Sequence, residues 1–237
     1  NLTSSVEKYF STNAAGYQYI GALSQSIAAY NKIPATNTQI TTSTGTGGGG
    51  AGSRPILCPN GTVYIPPYGA VNAGWSYNPT TNTLVTASGA TSPSGNQYNG
   101  GVLMKNGKVF TIPFAVTASR IYDPATVSCT YASPQFPVGF GGGVLLPSGE
   151  VFLNPVNATR AIIYNPDTNV TSSSAGVAYS GSSAAYGCVL TPSGKVVSVP
   201  YAATKIYVYD IATNSASVST STMPGTTAFL GGVLLPN

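Results

Sequence analysis

The residues of this chain able to do acid–base chemistry are few: Glu7, Asp123, Glu150, Asp167 and Asp210 are its only carboxylates, and there is no histidine. Without imidazole, Ser-His-Asp triads and histidine-ligated metals are excluded. Glycoside hydrolysis needs two carboxyls held at a fixed separation. A pair drawn from Asp123, Glu150 and Asp210 is the one such arrangement left open, and each of these has a plainer account. Asp123 and Asp210 stand in a slot that Asn78 and Asn165 fill elsewhere, which is turn capping. Glu150 shares its place after a turn glycine with Thr62, Lys108 and Lys195, and Asp167 lies inside a turn. A sialidase-like site would need several arginines converging on a carboxylate, and the chain has only Arg54, Arg120 and Arg160. Cys58, Cys129 and Cys188 show no CxxC spacing, so no zinc or thioredoxin-like site is expected and at most one disulfide is possible. No metal or cofactor is expected.

Residues that could bind rather than react are more numerous. Arg160 and Lys205 each lie eleven residues after a turn glycine and Arg120 two further on, so the three are expected on one rim. There they would serve solubility, or contact an acidic glycan or a neighbouring subunit. Tyr64, Tyr68, Trp75 and Tyr77 cluster in one segment. Tyr77 recurs as a landmark and belongs in the core. Tyr68 and Trp75 show no counterparts elsewhere, which makes them the expected surface aromatics for stacking on sugar. Sequons at Asn1, Asn60, Asn157 and Asn169 would carry glycans if the host glycosylates. The glycine run 47–50 lacks the Lys-Ser/Thr and the preceding strand of a phosphate loop, and reads as a linker.

Composition says what must position these groups. Only 6% of the 237 residues are charged while 42% are hydrophobic, with 28 Gly, 18 Pro and 16 Tyr. Disorder needs the opposite balance, and a surface of hydroxyls, amides and tyrosines suits an all-β protein outside the cytoplasm. A net charge of +4 spread over nine scattered bases is too dilute for a nucleic-acid groove. No apolar run reaches the length of a membrane-spanning helix. The chain opens on Asn1, which suggests a processed or partial polypeptide.

Three parts follow. Residues 1–40 form a helical or extended arm: Val6, Phe10, Ala14, Tyr17, Ile20, Leu23, Ile27 and Tyr30 recur at helical spacing, and Ser4 with Glu7 forms a capping box. Such a nearly uncharged helix packs on its own domain or anchors the protein in an assembly. Residues 41–53 are a Gly/Thr-rich linker. Residues 54–237 repeat. Turn glycines 61, 107, 149 and 194 each sit in Asn-Gly or Ser-Gly between apolar runs. A proline follows six residues later (Pro67, Pro113, Pro155, Pro200), and a tyrosine fifteen or sixteen later (Tyr77, Tyr122, Tyr164, Tyr209). Each tyrosine opens a turn with Thr four residues on, then Asn82, Asn169 or Asn214, with Val127 as the exception. A fifth copy opens at Val233.

Each unit reads as four short strands; in the third these are 143–146, 151–154, 161–164 and 169–173. Four strands at a period near 44 residues predict an all-β propeller of four-stranded blades, with a stacked-sheet sandwich as the runner-up. Four units and a fifth started predict a ring completed by more chain or another subunit.

The Tyr-Asx-Pro-x-Thr-Asn turn after a Gly-Gly strand resembles the kelch class of propeller repeats. Gly100-Gly101, Gly142-Gly143 and Gly231-Gly232 stand where kelch has its paired glycines, and Tyr186-Gly187 keeps only one. The tryptophan that kelch has after the turn is missing. The wording of the repeat is also similar to that in structural proteins of tailed phages and large DNA viruses, which implies a virion context without catalytic residues. The expectation is therefore a non-enzymatic structural or adhesion protein of a virion or cell exterior. Its arm would join it to other structural subunits or copies of itself, and its propeller would present a binding surface, with a cell-surface glycan as one possible partner. The alternative is a secreted carbohydrate-binding propeller; a propeller glycoside hydrolase or lyase ranks behind both.

Overall fold

The computed structural model describes residues 52–70, 72–91, 97–179, 185–223, 229, 231–232 and 234. The expected arm, most of the linker and the Asn1 sequon lie outside them.

Among the described residues every regular element is a strand. The first sheet holds β1 (Ile56–Leu57), β2 (Val63–Ile65), β3 (Trp75–Asn78) and β4 (Thr83–Thr86) in antiparallel succession, followed by the short β5 (Ser88–Gly89). The second holds β6 (Tyr98–Leu103), β7 (Val109–Pro113), β8 (Ala118–Asp123) and β9 (Ser128–Gln135). The third holds β10 (Phe140–Leu145), β11 (Val151–Pro155), β12 (Ile162–Asn165) and β13 (Val170–Ser173), followed by β14 (Ala175–Gly176). The fourth holds β15 (Ala185–Leu190), β16 (Lys195–Pro200), β17 (Lys205–Asp210) and β18 (Ser215–Thr222). The third sheet keeps the four expected strands with ends moved by up to three residues. The sheets are joined in pairs at their outer edges: β5 leaves the first sheet to pair in parallel with β9 of the second, and β14 leaves the third to pair with β18 of the fourth.

The hairpin between the first two strands of each sheet is fixed by its glycine. Gly61, Gly107, Gly149 and Gly194 all have positive φ, which a side chain resists. The landmark tyrosines do a different job: they tie one sheet to the next. Tyr122 stacks on Tyr64 of the preceding sheet at 3.9 Å between ring centroids and Tyr164 on Phe110 at 4.8 Å, while Tyr209 meets Phe152 at 4.8 Å with the rings tilted by 34°. All six rings are buried, and they run through the three hydrophobic clusters between the sheets. Tyr77, expected in the core, is only half-buried, because among the described residues no earlier sheet lies against it. A polar tie adds to the third interface: Asn154 donates to the Gly187 carbonyl at 3.0 Å and accepts from Ser198.

The landmark tyrosine also closes the turn that follows it. Tyr77, Tyr164 and Tyr209 donate to the side-chain oxygens of Asn82, Asn169 and Asn214 at 3.2, 2.9 and 3.0 Å. Those asparagines take φ of 54°, 57° and 50°, and Val127 is forced into the same left-handed conformation at 53°. Valine is poorly suited to it. Moreover the buried Tyr122 hydroxyl meets the geometry of a hydrogen bond with no group among the described residues, and burial raises its pKa, the nearby Ser76 hydroxyl only moderating the rise. Val127→Asn should relieve both defects. It is expected to stabilise the fold by about 1–2 kcal/mol, read as a higher urea midpoint with an unchanged slope.

Candidate functional site

The innermost strands β1, β6, β10 and β15 stand side by side around a cavity of about 260 Å³. Its wall is mostly glycine, including Gly100, Gly101, Gly142, Gly143 and Gly187. Small residues are required because the sheets converge there: a Cβ on Gly142 would stand 2.7 Å from the Cα of Gly187. Counted back from the turn glycines, Arg54 holds in the first unit the slot that Gly100, Gly142, Gly187 and Gly231 hold in the others. Its side chain runs past Gly100 and donates to the Gly141 carbonyl of the third sheet at 3.0 Å. None of the described carboxylates lines this cavity.

A belt of aromatic rings accompanies the cavity. Tyr68 meets Phe114 at 6.5 Å between centroids, Phe114 meets Tyr186 at 6.3 Å, and Tyr186 meets Tyr201 at 4.6 Å. Tyr68, Phe114 and Tyr201 occupy one repeat slot, the residue after the recurrent proline, where the third unit has Val156. Tyr186 comes from β15 and lies over Gly141. All four rings are half-buried and none belongs to the hydrophobic clusters between the sheets. Burial and then the neighbouring Tyr68 and Tyr201 raise the Tyr186 pKa, while Arg54 lowers it, so the belt and the axial guanidinium act on one spot. The backbone of Gln97 joins the main chains behind two of the rings, its N–H donating to the Tyr68 carbonyl at 2.9 Å and its carbonyl accepting from the Phe114 N–H at 2.8 Å.

The sequence-derived candidates scatter. Tyr68 lies in the belt, but it has counterparts in Phe114 and Tyr201, contrary to expectation. Trp75 is 7% exposed and Arg120 is 0% exposed, so neither is a surface or rim residue. Both sit two residues before the landmark tyrosine, as do the buried Ile162 and Tyr207, which belong to the clusters between the sheets; Trp75 is instead buried beside Gly52. Arg120 keeps its charge satisfied by donating to the Asn72 carbonyl at 2.9 Å and by lying 4.9 Å from the centroid of the Tyr98 ring. Arg160 is exposed and donates to the carbonyls of Ser174 and Gly176, and Lys205 is half-buried at the start of β17.

The sequon asparagines Asn60, Asn157 and Asn169 are exposed. Asn60 caps its own hairpin by accepting from the Thr62 N–H, and Asn169 accepts from Tyr164.

The described carboxylates lie in or beside turns. Asp123 pairs with Lys108 at 2.9 Å and Asp210 with Lys195. These lysines, helped by nearby backbone N–H groups, hold both carboxyls below their ordinary value. Glu150 accepts from Ser148 within its own hairpin, and the Asn165 side chain caps the backbone N–H of Asp167. All three cysteines are free thiols, and burial raises the pKa of each, that of Cys188 to about 12. No group of three or more potential metal ligands occurs among the described residues.

Sheets stacked around an axis with glycine-rich inner strands define a β-propeller, and the solved structures similar to this chain are of that class. One is virginiamycin B lyase from Staphylococcus aureus, a catalytically inactive histidine-to-alanine variant with quinupristin: TM-score 0.60, 11% identity, covering 73% of this chain and 56% of that one. A streptogramin B lyase structure gives 0.56 at 12% identity, covering 72% and 54%. The extracellular domain of a protein described as a one-component system from B. thetaiotaomicron gives 0.53 at 13%, covering 72% and 23%. The chain thus spans about half the length of the lyases it resembles. At these identities the likeness is one of fold. No protein-family model matches the chain, and no curated protein does.

Proposed function

We propose that this is a non-enzymatic protein of a virion or cell exterior, whose propeller presents a binding face around its axial mouth and whose N-terminal segment holds it in a larger assembly. One observation carries the reading: the described carboxylates are committed to turns and ion pairs, while the axial cavity is walled by glycine backbone with the Arg54 guanidinium and the aromatic belt adjoins it through Tyr186. Such a surface can hold a ligand but has no paired acid and base with which to cleave one. The low charge of the chain favours assembly, since little desolvation of ions opposes contact.

The second reading, a propeller lyase, is favoured by the shared fold of virginiamycin B lyase. It must account for chemistry without histidine, whereas the similar structure is described as inactive once a histidine is replaced. The test is to incubate the protein with polysaccharides, oligosaccharides and cyclic peptides and follow products by mass spectrometry. No product is expected. Product that disappears in Asp123→Asn or Asp210→Asn variants of unchanged stability would overturn the proposal.

A further inference from the structure

We propose that the aromatic belt of Tyr68, Phe114, Tyr186 and Tyr201 is a subsite for an uncharged oligosaccharide, its sugar rings lying on the aromatic faces. This rests on the reading of the axial mouth as a binding face. Four features of the belt point to that chemistry.

First, the rings are held ready rather than packed away. They form an unbroken series with centroid distances of 6.5, 6.3 and 4.6 Å, they stay half-exposed, and they stand outside the inter-sheet clusters that bury Tyr64, Phe110, Tyr122, Phe152, Tyr164 and Tyr209. The Gln97 backbone ties together the main chains that carry two of them. Rings already ordered in the free protein lose little entropy on binding.

Second, none of the four rings carries a charge, and the guanidinium beside them, that of Arg54, donates to the Gly141 carbonyl at 3.0 Å, so what the belt itself offers is apolar ring face, which suits the apolar face of a sugar. Third, three of the four rings bear a hydroxyl. Beside them the cavity wall offers glycine backbone, from which no side chain shields the peptide groups, together with the Asn99 amide. A flat apolar platform edged by neutral donors and acceptors is what a ring of hydroxyls requires. Fourth, the belt gathers rings from the first, second and fourth sheets, so it is longer than a single residue and suits a chain of sugars.

The test is isothermal titration of the whole protein with neutral hexasaccharides of glucose, mannose and N-acetylglucosamine, and with a proline-rich decapeptide. At least one hexasaccharide should bind. Tyr68→Ala and Tyr201→Ala should each weaken it about tenfold. Tyr68→Phe and Tyr201→Phe, which keep the ring, should lose far less, and this guards against a variant that merely misfolds. Tyr131→Ala removes a tyrosine that is 53% exposed but lies outside the belt, and should change nothing. Binding that ignores the belt variants, or no sugar binding at all, overturns the subsite. Binding of the decapeptide alone also overturns it while leaving the axial face as a binding face. Sugar that binds and is cleaved would instead overturn the non-enzymatic reading and leave the subsite standing.

Discussion

Phe110→Ala should cost about 3–5 kcal/mol of folding stability, the range for removing a large buried ring. Phe110 is fully buried, stacks on Tyr164 of the next sheet and meets Phe136 edge-on at 5.4 Å. Its loss empties the middle of the cluster that joins the second and third sheets. The informative comparison is Tyr77→Ala. Tyr77 carries the same repeat landmark as Tyr164, yet it is only half-buried and no described ring stacks on it. Its removal should cost about 1 kcal/mol, the typical value for a point mutation, chiefly through the lost bond to Asn82. Urea unfolding of the two variants measures the difference. Equal losses would mean that the motif acts within its own sheet and that the inter-sheet stacks contribute little.

Gly142→Ala should be the next most damaging change, at about 1–3 kcal/mol from overpacking. The added methyl meets the backbone of Gly187, 2.7 Å from its Cα and 3.0 Å from its nitrogen, and backbone cannot swing aside as a side chain can. Gly231→Ala, in the equivalent slot of the fifth copy, meets nothing within 4 Å among the described residues and should stay within about 0.5 kcal/mol. Thermal unfolding of the pair checks this. A costly Gly231→Ala would show that the axial glycines are needed for their backbone conformation rather than for space.

Much of the fold was legible because its parts are local. A turn glycine needs positive φ wherever it occurs, so Gly61, Gly107, Gly149 and Gly194 announced their hairpins and the apolar runs beside them announced the strands. The tyrosine ladder was half legible: the period marked Tyr122, Tyr164 and Tyr209, but not that each reaches back to the preceding unit. The site was harder to read. Counting forward from the turn glycine sets Trp75 opposite Ile121 and leaves it without a partner in kind. The first unit has one more residue than the others between glycine and tyrosine, and strand pairing follows the tyrosine. Counting back from it sets Trp75 with Arg120, Ile162 and Tyr207, all buried positions. A buried arginine does not show in a composition, because its charge is met by the Asn72 carbonyl and the Tyr98 ring, both distant in sequence. The belt had a usable signal that was overlooked, the aromatic residue after three of the four recurrent prolines. Only folding adds Tyr186, which reaches Phe114 from another sheet.

The axial face as the working face is most directly tested by NMR of tyrosine and phenylalanine rings, carbon-13 labelled, during titration with a neutral hexasaccharide. The account predicts shifts confined to Tyr68, Phe114, Tyr186 and Tyr201, with the buried Tyr122 and Tyr164 and the outlying Tyr131 unmoved. Shifts centred instead on Tyr77 and Tyr209, beside the turns of the repeat, with the belt silent, would contradict it.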